Sequence, residues 1–415
     1  MYDFANSGYT TVIITAIFNA YFVSVIAGGA EWATLLWTTI LAISYAIVMV
    51  IGPVLGAWAD RRAAKKRMLL YSTVGCVLTT LALAPLAAQG SNLLLLVCIV
   101  FIASNVFYAL GENFTAAFLP ELAKSEHIAK VSAWGWSLGY VGGLVTLGAS
   151  LAVVTTQQAA GAPATSYVPW TIVVTAVIYA AASLPVFLFL NERATPQDDV
   201  APAPLLVKLR ASLAQLSKHP DLRRFFLAGI AYQAGLAVVI TLASVYAAEA
   251  LGFKMADTIK LLLVVNVSAA IGAFVFGYVQ DRIGHKPTLI VTLVMWITTV
   301  IVAYVWHTKT GFWIAANMAG LCLGASQSGG RALVGVLSPK SKVAEFYGLW
   351  GLVVRLAGIV GPMLYGVVTW VTGGNHRLAL LLTGGMFVVG LALLRAVDVD
   401  RGERDAKAVD ALTVG

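Results

Sequence analysis

Ionisable residues inside long apolar segments are the first candidates for chemistry in this sequence. Arg355 has apolar neighbours and lies about twelve residues into the segment 343–370, or ~18 Å along a helix. A charge in a membrane-spanning helix costs about 2.5–3.5 kcal/mol on insertion scales, so it usually faces a partner or a water-filled cavity. Two interpretations are open: Arg355 lines a cavity as an anion-binding or gating charge, or it is the buried partner of a carboxylate and locks two helices together.

Glu112, in the segment 92–118, is the carboxylate best placed inside an apolar segment. A carboxylate that carries protons must load and release them near neutral pH, and a desolvated setting promotes this. Glu112 is therefore our candidate for proton coupling. Permanent pairing with Arg331 or Arg355, or simple contact with cytoplasmic water, is the alternative.

Hydrogen-bonding residues recur in several apolar segments. Gln327 and Arg331 are spaced i,i+4 and share one helix face. Thr10 has a second explanation, because Thr in a span often bonds back to its own helix. A substrate-contact layer and an inner gate both fit this pattern. The candidate residues for either role are Asn6, Tyr9, Thr10, Asn19, Tyr232, Gln233, Gln327, Arg331 and Arg355.

Two loops share the pattern Gly-x-x-x-Asp-Arg followed by basic residues. The first runs from Gly56 through Asp60 and Arg61, and the second from Gly277 through Asp281 and Arg282. The same loop, six apolar segments later, indicates two parallel six-helix halves. A carboxylate at a helix end can bind the positive N-terminus of another helix. We therefore expect Asp60 and Asp281, each followed by an arginine (Arg61 and Arg282), to bind the N-terminus of a helix from the other half.

The composition requires lipid as the solvent of this chain. Of the 415 residues, 60% are hydrophobic and 11% are charged, whereas a soluble chain has about 25% charged residues. We predict an all-α membrane protein with twelve transmembrane helices in two parallel six-helix repeats. Apolar segments of spanning length occur at about 5–27, 34–58, 68–88, 92–118, 130–155, 168–190, 222–248, 258–280, 287–306, 310–333, 343–370 and 376–397.

The domain organisation follows from these segments. We predict six-helix bundles over residues 1–190 and 222–397, joined by a cytoplasmic linker over 191–221 with a surface helix near Leu205–Ser217. The tail 398–415 has mixed charge and is predicted to be disordered. Most of the 27 Lys and Arg residues fall on one side of the spans, which predicts that both termini are cytoplasmic.

Glycines at four-residue intervals predict close helix packing. They occur at Gly135, Gly139 and Gly143 in one segment, and at Gly52 and Gly56 in another. Small residues at this spacing allow two helix backbones to approach each other.

Several classes of function are disfavoured. The chain contains no Gly-x-x-x-x-Gly-Lys-Ser/Thr phosphate loop, no His-Glu-x-x-His, no Cys-x-x-Cys and no Gly-x-Ser-x-Gly motif, so an enzyme is not predicted. The three cysteines lie in apolar runs and the histidines are scattered, so no metal site and no cofactor is expected. The net charge of +8 comes from loops on one side, which argues against a nucleic-acid partner. The expected partners are a small-molecule substrate, the lipid bilayer and protons, and a monomer is expected.

Six stretches of the sequence carry a family resemblance. The Asp-Arg loops resemble the signature loop of the major facilitator superfamily, although Ala63 replaces a usual glycine and His285 a usual base. The segment Tyr2–Tyr9 is similar to the vacuole-effluxer branch of that superfamily, which includes autophagy-related amino-acid effluxers of fungal vacuoles and bacterial relatives. The segments 117–123, 131–136 and 345–349 carry the same resemblance.

The resemblance implies a fold and a function. In facilitator folds the first, fourth, seventh and tenth helices line a central cavity, and the Asp-Arg loops hold the outward-facing state. The expected protein is a bacterial inner-membrane transporter that exports or exchanges small polar metabolites by alternating access. Amino acids are the first candidate substrates, and proton coupling through Glu112 is an option. The alternatives are a multidrug-type efflux transporter and, in another class, a non-transporting membrane receptor or assembly partner.

Overall fold

The computed structural model describes residues 2–118, 128–192, 205–339 and 343–414, and nearly all of this part of the chain is helical. The predicted spans one to six are α1–α6, and spans seven to twelve are α8–α13. The helices are α1 (Tyr2–Ile26), α2 (Ala33–Arg61), α3 (Lys65–Ala88), α4 (Leu94–Ala117), α5 (Ile128–Ala159), α6 (Ala164–Phe189), α7 (Leu205–Ser217), α8 (Pro220–Leu251), α9 (Met255–Ile283), α10 (His285–Val305), α11 (Lys309–Leu337), α12 (Val343–Val371), α13 (His376–Arg395) and α14 (Val399–Val414).

The predicted all-α membrane fold is confirmed. Among the described residues, eleven helices are long and apolar enough to cross a membrane. The remaining predicted span, α11, is a helix of 29 residues that is not in this set. It carries Asn317, Gln327 and Arg331, and these polar side chains lower its mean hydropathy. The polar composition of α11 therefore distinguishes it from the other spans.

Two compact units make up the chain. Unit 1 comprises Met1–Pro202 and Ile240–Leu263, and unit 2 comprises Ala203–Val239 and Val264–Gly415. In unit 1, the C-terminal half of α1 packs its Phe18 and Phe22 rings against Trp37 and Phe101, with ring centroids 5.4–6.1 Å apart. In unit 2, Trp296 stacks on Phe387 at 4.9 Å within an apolar core built from α8, α10, α11, α12 and α13. Each unit therefore has its own core.

Helix α1 is irregular. A π-helical stretch at Thr10–Ala16 and another at Phe22–Ile26 interrupt its α-helical turns. Between them Ile17 has φ −115°, and its N–H donates to the Val12 carbonyl at 3.1 Å, five residues back. Such wide turns occur often at functional sites.

Glycine contacts hold α1 against α5 in unit 1. A Cβ added to Gly139 would lie 2.7 Å from Ser7 Oγ, and one on Gly143 would lie 3.0 Å from Thr11 Oγ1. The predicted packing role of the four-residue glycine series is thus confirmed in α5. The tightest approach is at Gly142, outside that series, where a Cβ would overlap the backbone carbonyl of Phe4.

The equivalent contact in unit 2 joins α8 and α12. A Cβ on Gly361 would overlap the carbonyl oxygen of Ala234. In α2 the two predicted glycines differ. A Cβ on Gly52 would lie 3.1 Å from Asn113 Nδ2, whereas one on Gly56 would meet open space.

The prediction of a disordered tail was wrong, because Val399–Val414 forms α14. Asp398 accepts a hydrogen bond from the Arg401 N–H at 3.0 Å, as an N-cap does, and Lys407 pairs with Glu403 at 2.8 Å one turn earlier. A Cβ on Gly402 would lie 2.5 Å from Leu337 Cδ2, so α14 packs closely on α11. The mixed charge of this segment suggested disorder, whereas the segment forms a helix that buries one face of small residues.

The Asp-Arg loops share a backbone conformation. Ala63 has φ +47° and Gly284 has φ +89°, and the two residues occupy the same position relative to the Asp-Arg pair. Ala63 is the only non-glycine residue with positive φ in the described part of the chain. The position therefore favours glycine in both copies.

We expect Ala63→Gly to raise the free energy of unfolding by about 0.5–1 kcal/mol, because it relieves left-handed strain that Gly tolerates. Gly284→Ala should lower it by about 1–3 kcal/mol, since an alanine there is forced into a strained region. Thermal unfolding in detergent measures both variants. Destabilisation by Ala63→Gly would contradict the strain at this position.

Candidate functional site

A buried network of tyrosines connects three helices of unit 1. Tyr2 Oη lies 2.8 Å from Thr73 Oγ1 and 3.0 Å from Tyr179 Oη. Tyr179 in turn donates to Asn6 Oδ1 at 3.0 Å. The network therefore joins α1, α3 and α6, and the predicted site residue Asn6 ends it.

A second set of contacts joins α1 to α4. Tyr9 Oη lies 2.9 Å from Ser104 Oγ, and the Tyr9 ring stacks on the Tyr108 ring with centroids 4.6 Å apart and an interplanar angle of 14°. Thr10 Oγ1 lies 2.7 Å from Tyr108 Oη and also donates to the Asn6 carbonyl at 3.2 Å. Thr10 therefore bonds back to its own helix and also contacts α4, and its role as a substrate or gate residue stays a prediction.

The sequence explains why these residues meet. Tyr2, Asn6 and Tyr9 recur at intervals of four and three, so they share one face of α1. Ser104, Tyr108 and Glu112 recur at intervals of four and form a stripe on α4. Two polar helix faces in apolar surroundings satisfy their hydrogen-bonding groups by pairing with each other.

Glu112 is exposed, although it continues the buried stripe of α4. Tyr108 and Asn105, four and seven residues earlier, are buried, and the exposed apolar residues Leu95 and Ile99 lie on the opposite face. The apolar face suits lipid. Glu112 is therefore an exposed carboxylate on a helix face whose earlier turns are buried.

Asn19 is fully buried and its hydrogen bonds are satisfied by protein. Its Nδ2 donates to the Thr241 carbonyl and to Ser244 Oγ, both at 2.8 Å, and to the Thr15 carbonyl at 3.1 Å. Its Oδ1 accepts from the Ala20 N–H at 2.7 Å. Asn19 therefore ties α1 to α8 in unit 1, away from Tyr9 and Thr10.

In unit 2 the predicted pair Tyr232 and Gln233 lies buried in α8. Among the residues that the structure describes, neither Tyr232 Oη nor Gln233 Nε2 has a hydrogen-bond partner, and a Cβ on Gly330 of α11 would lie 2.6 Å from that hydroxyl. The Tyr232 ring lies 6.4 Å from the Trp350 ring of α12. Two buried polar groups without a described hydrogen-bond partner thus lie beside the α11 segment that contains Gln327 and Arg331.

The remaining predicted residues of unit 2 are half-buried. Gln327 and Arg331 lie one turn apart on α11, and the Arg331 carbonyl accepts a hydrogen bond from Tyr347 Oη at 2.9 Å. Arg355 shares a face of α12 with Gly351 and Tyr347, at intervals of four, and both of those residues are exposed. Arg355 is therefore on the more exposed side of the N-terminal half of α12.

The side chains of Asp60, Arg61 and Asp281 lie outside the described residues, and the Arg282 side chain is exposed. The ends of the neighbouring helices are described. Glu192 accepts from the N–H groups of Lys65 and Lys66, at 2.8 and 3.1 Å, at the N-terminus of α3. A carboxylate at this position is favoured by the helix dipole. The role of the two Asp-Arg loops in conformational switching stays a prediction.

Tyr108, Tyr179, Thr73 and Ser104 are site residues that the sequence prediction missed. The signal for Ser104 and Tyr108 was their four-residue spacing to Glu112. Tyr179 and Thr73 are single polar residues in apolar helices, and their role depends on contacts between helices that spacing does not reveal.

Comparisons with known proteins identify the family. The sequence model of the family described as "Vacuole effluxer Atg22 like" matches residues 23–407. The MFS-type transporter YxiO of Bacillus subtilis (strain 168) is 29% identical over 412 residues, which cover 96% of this chain and 93% of the relative. Autophagy-related protein 22-1 of Penicillium rubens is 24% identical over 68% of this chain and 51% of its own length.

A solved structure shows the same fold. The crystal structure of a point mutant of the nucleoside transporter NupG superposes with a TM-score of 0.71 at 16% identity, and the match covers 95% of this chain and 98% of that one. At this identity the likeness concerns the fold alone. Together with the family match over most of the chain, it means that this protein is a transporter of the major facilitator superfamily and belongs to its Atg22-like vacuole-effluxer family.

Proposed function

We propose that this transporter is a secondary active carrier that exports or exchanges small polar metabolites by alternating access, with amino acids as the first candidates. The description of its family as vacuole effluxers supports export. The observation that carries the proposal is Glu112, an exposed carboxylate within the spanning helix α4 that continues the stripe of the buried Tyr108. A carboxylate kept inside a membrane domain needs a function that offsets its insertion cost.

The membrane orientation is part of the same proposal. Two bundles, over residues 1–190 and 222–397, are joined by a cytoplasmic linker and followed by a cytoplasmic tail. The protein is a monomer in the bacterial inner membrane with both termini in the cytoplasm, as the basic loops favour. Cysteine labelling of intact cells tests this orientation. A cysteine substituted for Lys254 or Lys309 should react with a reagent added outside the cell, whereas a cysteine substituted for Lys65 should not.

Flux measurements test the function directly. Purified protein in proteoliposomes should take up labelled amino acids. A pH gradient should change the amount of labelled amino acid that accumulates inside. Absence of flux for every amino acid, while a ligand still binds, would favour a receptor. Transport of amphipathic drugs instead would favour the multidrug alternative.

We expect Glu112→Gln to retain exchange of substrate but to lose accumulation driven by a pH gradient, because the amide cannot carry a proton. The readout is the ratio of internal to external label with and without the gradient. Glu249→Gln, which changes another exposed carboxylate in a spanning helix, is the matched control. Unchanged accumulation in Glu112→Gln would remove Glu112 from the coupling mechanism.

A further inference from the structure

We propose that α7 lies along the membrane surface and that its exposed face binds the headgroups of acidic phospholipids. The inference goes beyond the proposed function, because it concerns the attachment of the protein to its membrane and does not depend on the solute. The exposed face is defined by Val207, Arg210, Leu213, Ala214 and Lys218, the last of which directly follows the helix.

The first step concerns the buried face of α7. Leu216 is 8% exposed and belongs to the apolar core of unit 2, which also contains Leu222 and Phe346. The buried His219 ring, just after the helix, meets the Phe346 ring edge-on with centroids 5.4 Å apart. Helix α7 is therefore fixed against α12, and its exposed face is directed away from the core of unit 2.

The second step concerns apolar side chains on the exposed face. Val207 is 56% exposed and Leu213 is 51% exposed, although α7 has only 13 residues and is too short to cross a membrane. Arg210 lies between them in sequence and on the same side of the helix. A short helix that exposes both apolar and basic side chains is typical of one that lies in the membrane interface. Its basic side chains reach the headgroups while their alkyl parts cover apolar surface.

The third step concerns charge. The only acidic residue in the range 205–224 is Asp221, which is buried and bonded to Arg401. Neither Arg210 nor Lys218 takes part in an ion pair between described residues. The other described helix that is too short to span, α14, carries four acidic and three basic residues. The exposed face of α7 therefore complements an anionic surface, whereas α14 does not.

The fourth step concerns depth relative to the bilayer. The first exposed apolar residue of α8 is Leu227, seven residues or about 10.5 Å along the axis after Pro220. The hydrocarbon layer therefore begins near Leu227, and the exposed Arg223, one turn earlier, lies at the level of the headgroups. Helix α7 ends at Ser217, only three residues before Pro220. Its exposed face is thus within reach of lipid headgroups.

Fluorescence quenching in nanodiscs tests this contact in the full-length protein. A fluorophore is attached to the variant Ala214→Cys, and the three native cysteines are buried. A quencher carried on lipid headgroups should reduce the emission at least about twofold more in nanodiscs that contain phosphatidylglycerol than in nanodiscs of phosphatidylcholine alone. The same label on Ala408→Cys, at an exposed position of α14, should show no such difference.

Two double variants separate charge from apolar contact. Arg210→Gln with Lys218→Gln should lower the apparent affinity for phosphatidylglycerol roughly 5–30-fold, because each basic side chain near an anionic surface adds attraction. Val207→Ser with Leu213→Ser should reduce quenching in both kinds of nanodisc, since insertion depends on apolar area. Lys407→Gln, which removes an exposed charge from α14, is the matched control and should change the affinity less than about twofold. All of these side chains are exposed, so the thermal unfolding midpoints should match that of the wild type.

Three results would overturn the proposal. Equal quenching with and without phosphatidylglycerol would show that α7 does not recognise acidic lipid. Absence of quenching in both kinds of nanodisc would show that the exposed face meets water and is open to a soluble partner instead. An equal loss of affinity in Lys407→Gln and in the double variant of Arg210 and Lys218 would indicate general attraction of a basic protein to the membrane, without a site on α7.

Discussion

Gly142→Ala is expected to lower the free energy of unfolding by about 1–3 kcal/mol, because its Cβ would occupy the space of the Phe4 carbonyl. A backbone atom cannot move aside as a flexible side chain can. Helices α1 and α5 would have to separate, and the hydrogen bonds of Asn6 and Tyr9 to the other helices would be strained. Thermal unfolding in detergent measures the loss, and transport should fall with it.

Gly148→Ala in the same helix is the matched control. A Cβ there meets nothing within 4 Å, so alanine should be neutral or stabilising by up to about 1 kcal/mol through helix propensity. In unit 2, Gly361→Ala should behave like Gly142→Ala, and Gly351→Ala, also directed at open space, is its control. Equal effects of Gly142→Ala and Gly148→Ala would refute the close approach of α1 to α5.

The second large effect is expected at the attachment of α14. Asp221, whose side chain is 1% exposed, accepts from Arg401 Nε at 2.6 Å and Nη2 at 2.7 Å, and from the Asp398 N–H at 3.0 Å. The pKa of the Arg401 guanidinium is raised by this carboxylate. Asp221→Asn removes the charge and should cost about 1.5–3 kcal/mol.

Hydrogen exchange of the α14 amides is the direct measurement, since detachment should accelerate it at least about tenfold. Arg401→Ala should detach α14 as well, because it leaves the buried carboxylate without its bidentate partner. Lys407→Ala breaks only the exposed Glu403–Lys407 pair and should change little. Exchange that is equally slow in Asp221→Asn and the wild type would show that apolar packing alone holds the tail.

Sequence patterns predicted most of the helices because hydropathy and loop charge are local properties. Loops of one to a few residues, such as that between α9 and α10, also left little freedom in where helices end. The glycine face of α5 was predictable from spacing for the same reason. Most of the fold could therefore be predicted from local sequence patterns.

The site was less predictable, because its contacts join distant parts of the chain. Asn6 was a candidate, but its partner Tyr179 lies 173 residues away. Gly142 was missed because the tightest contact depends on where the two backbones cross. The π-helical turns of α1 have no marker such as proline, and the tail helix depends on Asp221, which is far away in sequence.

The polar composition of α11 has a consequence for biosynthesis. This segment would partition weakly into lipid by itself as it leaves the translocon. The neighbouring helices supply hydrogen-bond donors, which lipid tails lack. Ser268 of α9 donates to Asn317 at 2.7 Å, and Trp296 of α10 donates to Ser326 at 2.9 Å. We expect nascent chains that end after α11 to insert it only when α9 and α10 precede it, so membrane integration of this segment is cooperative.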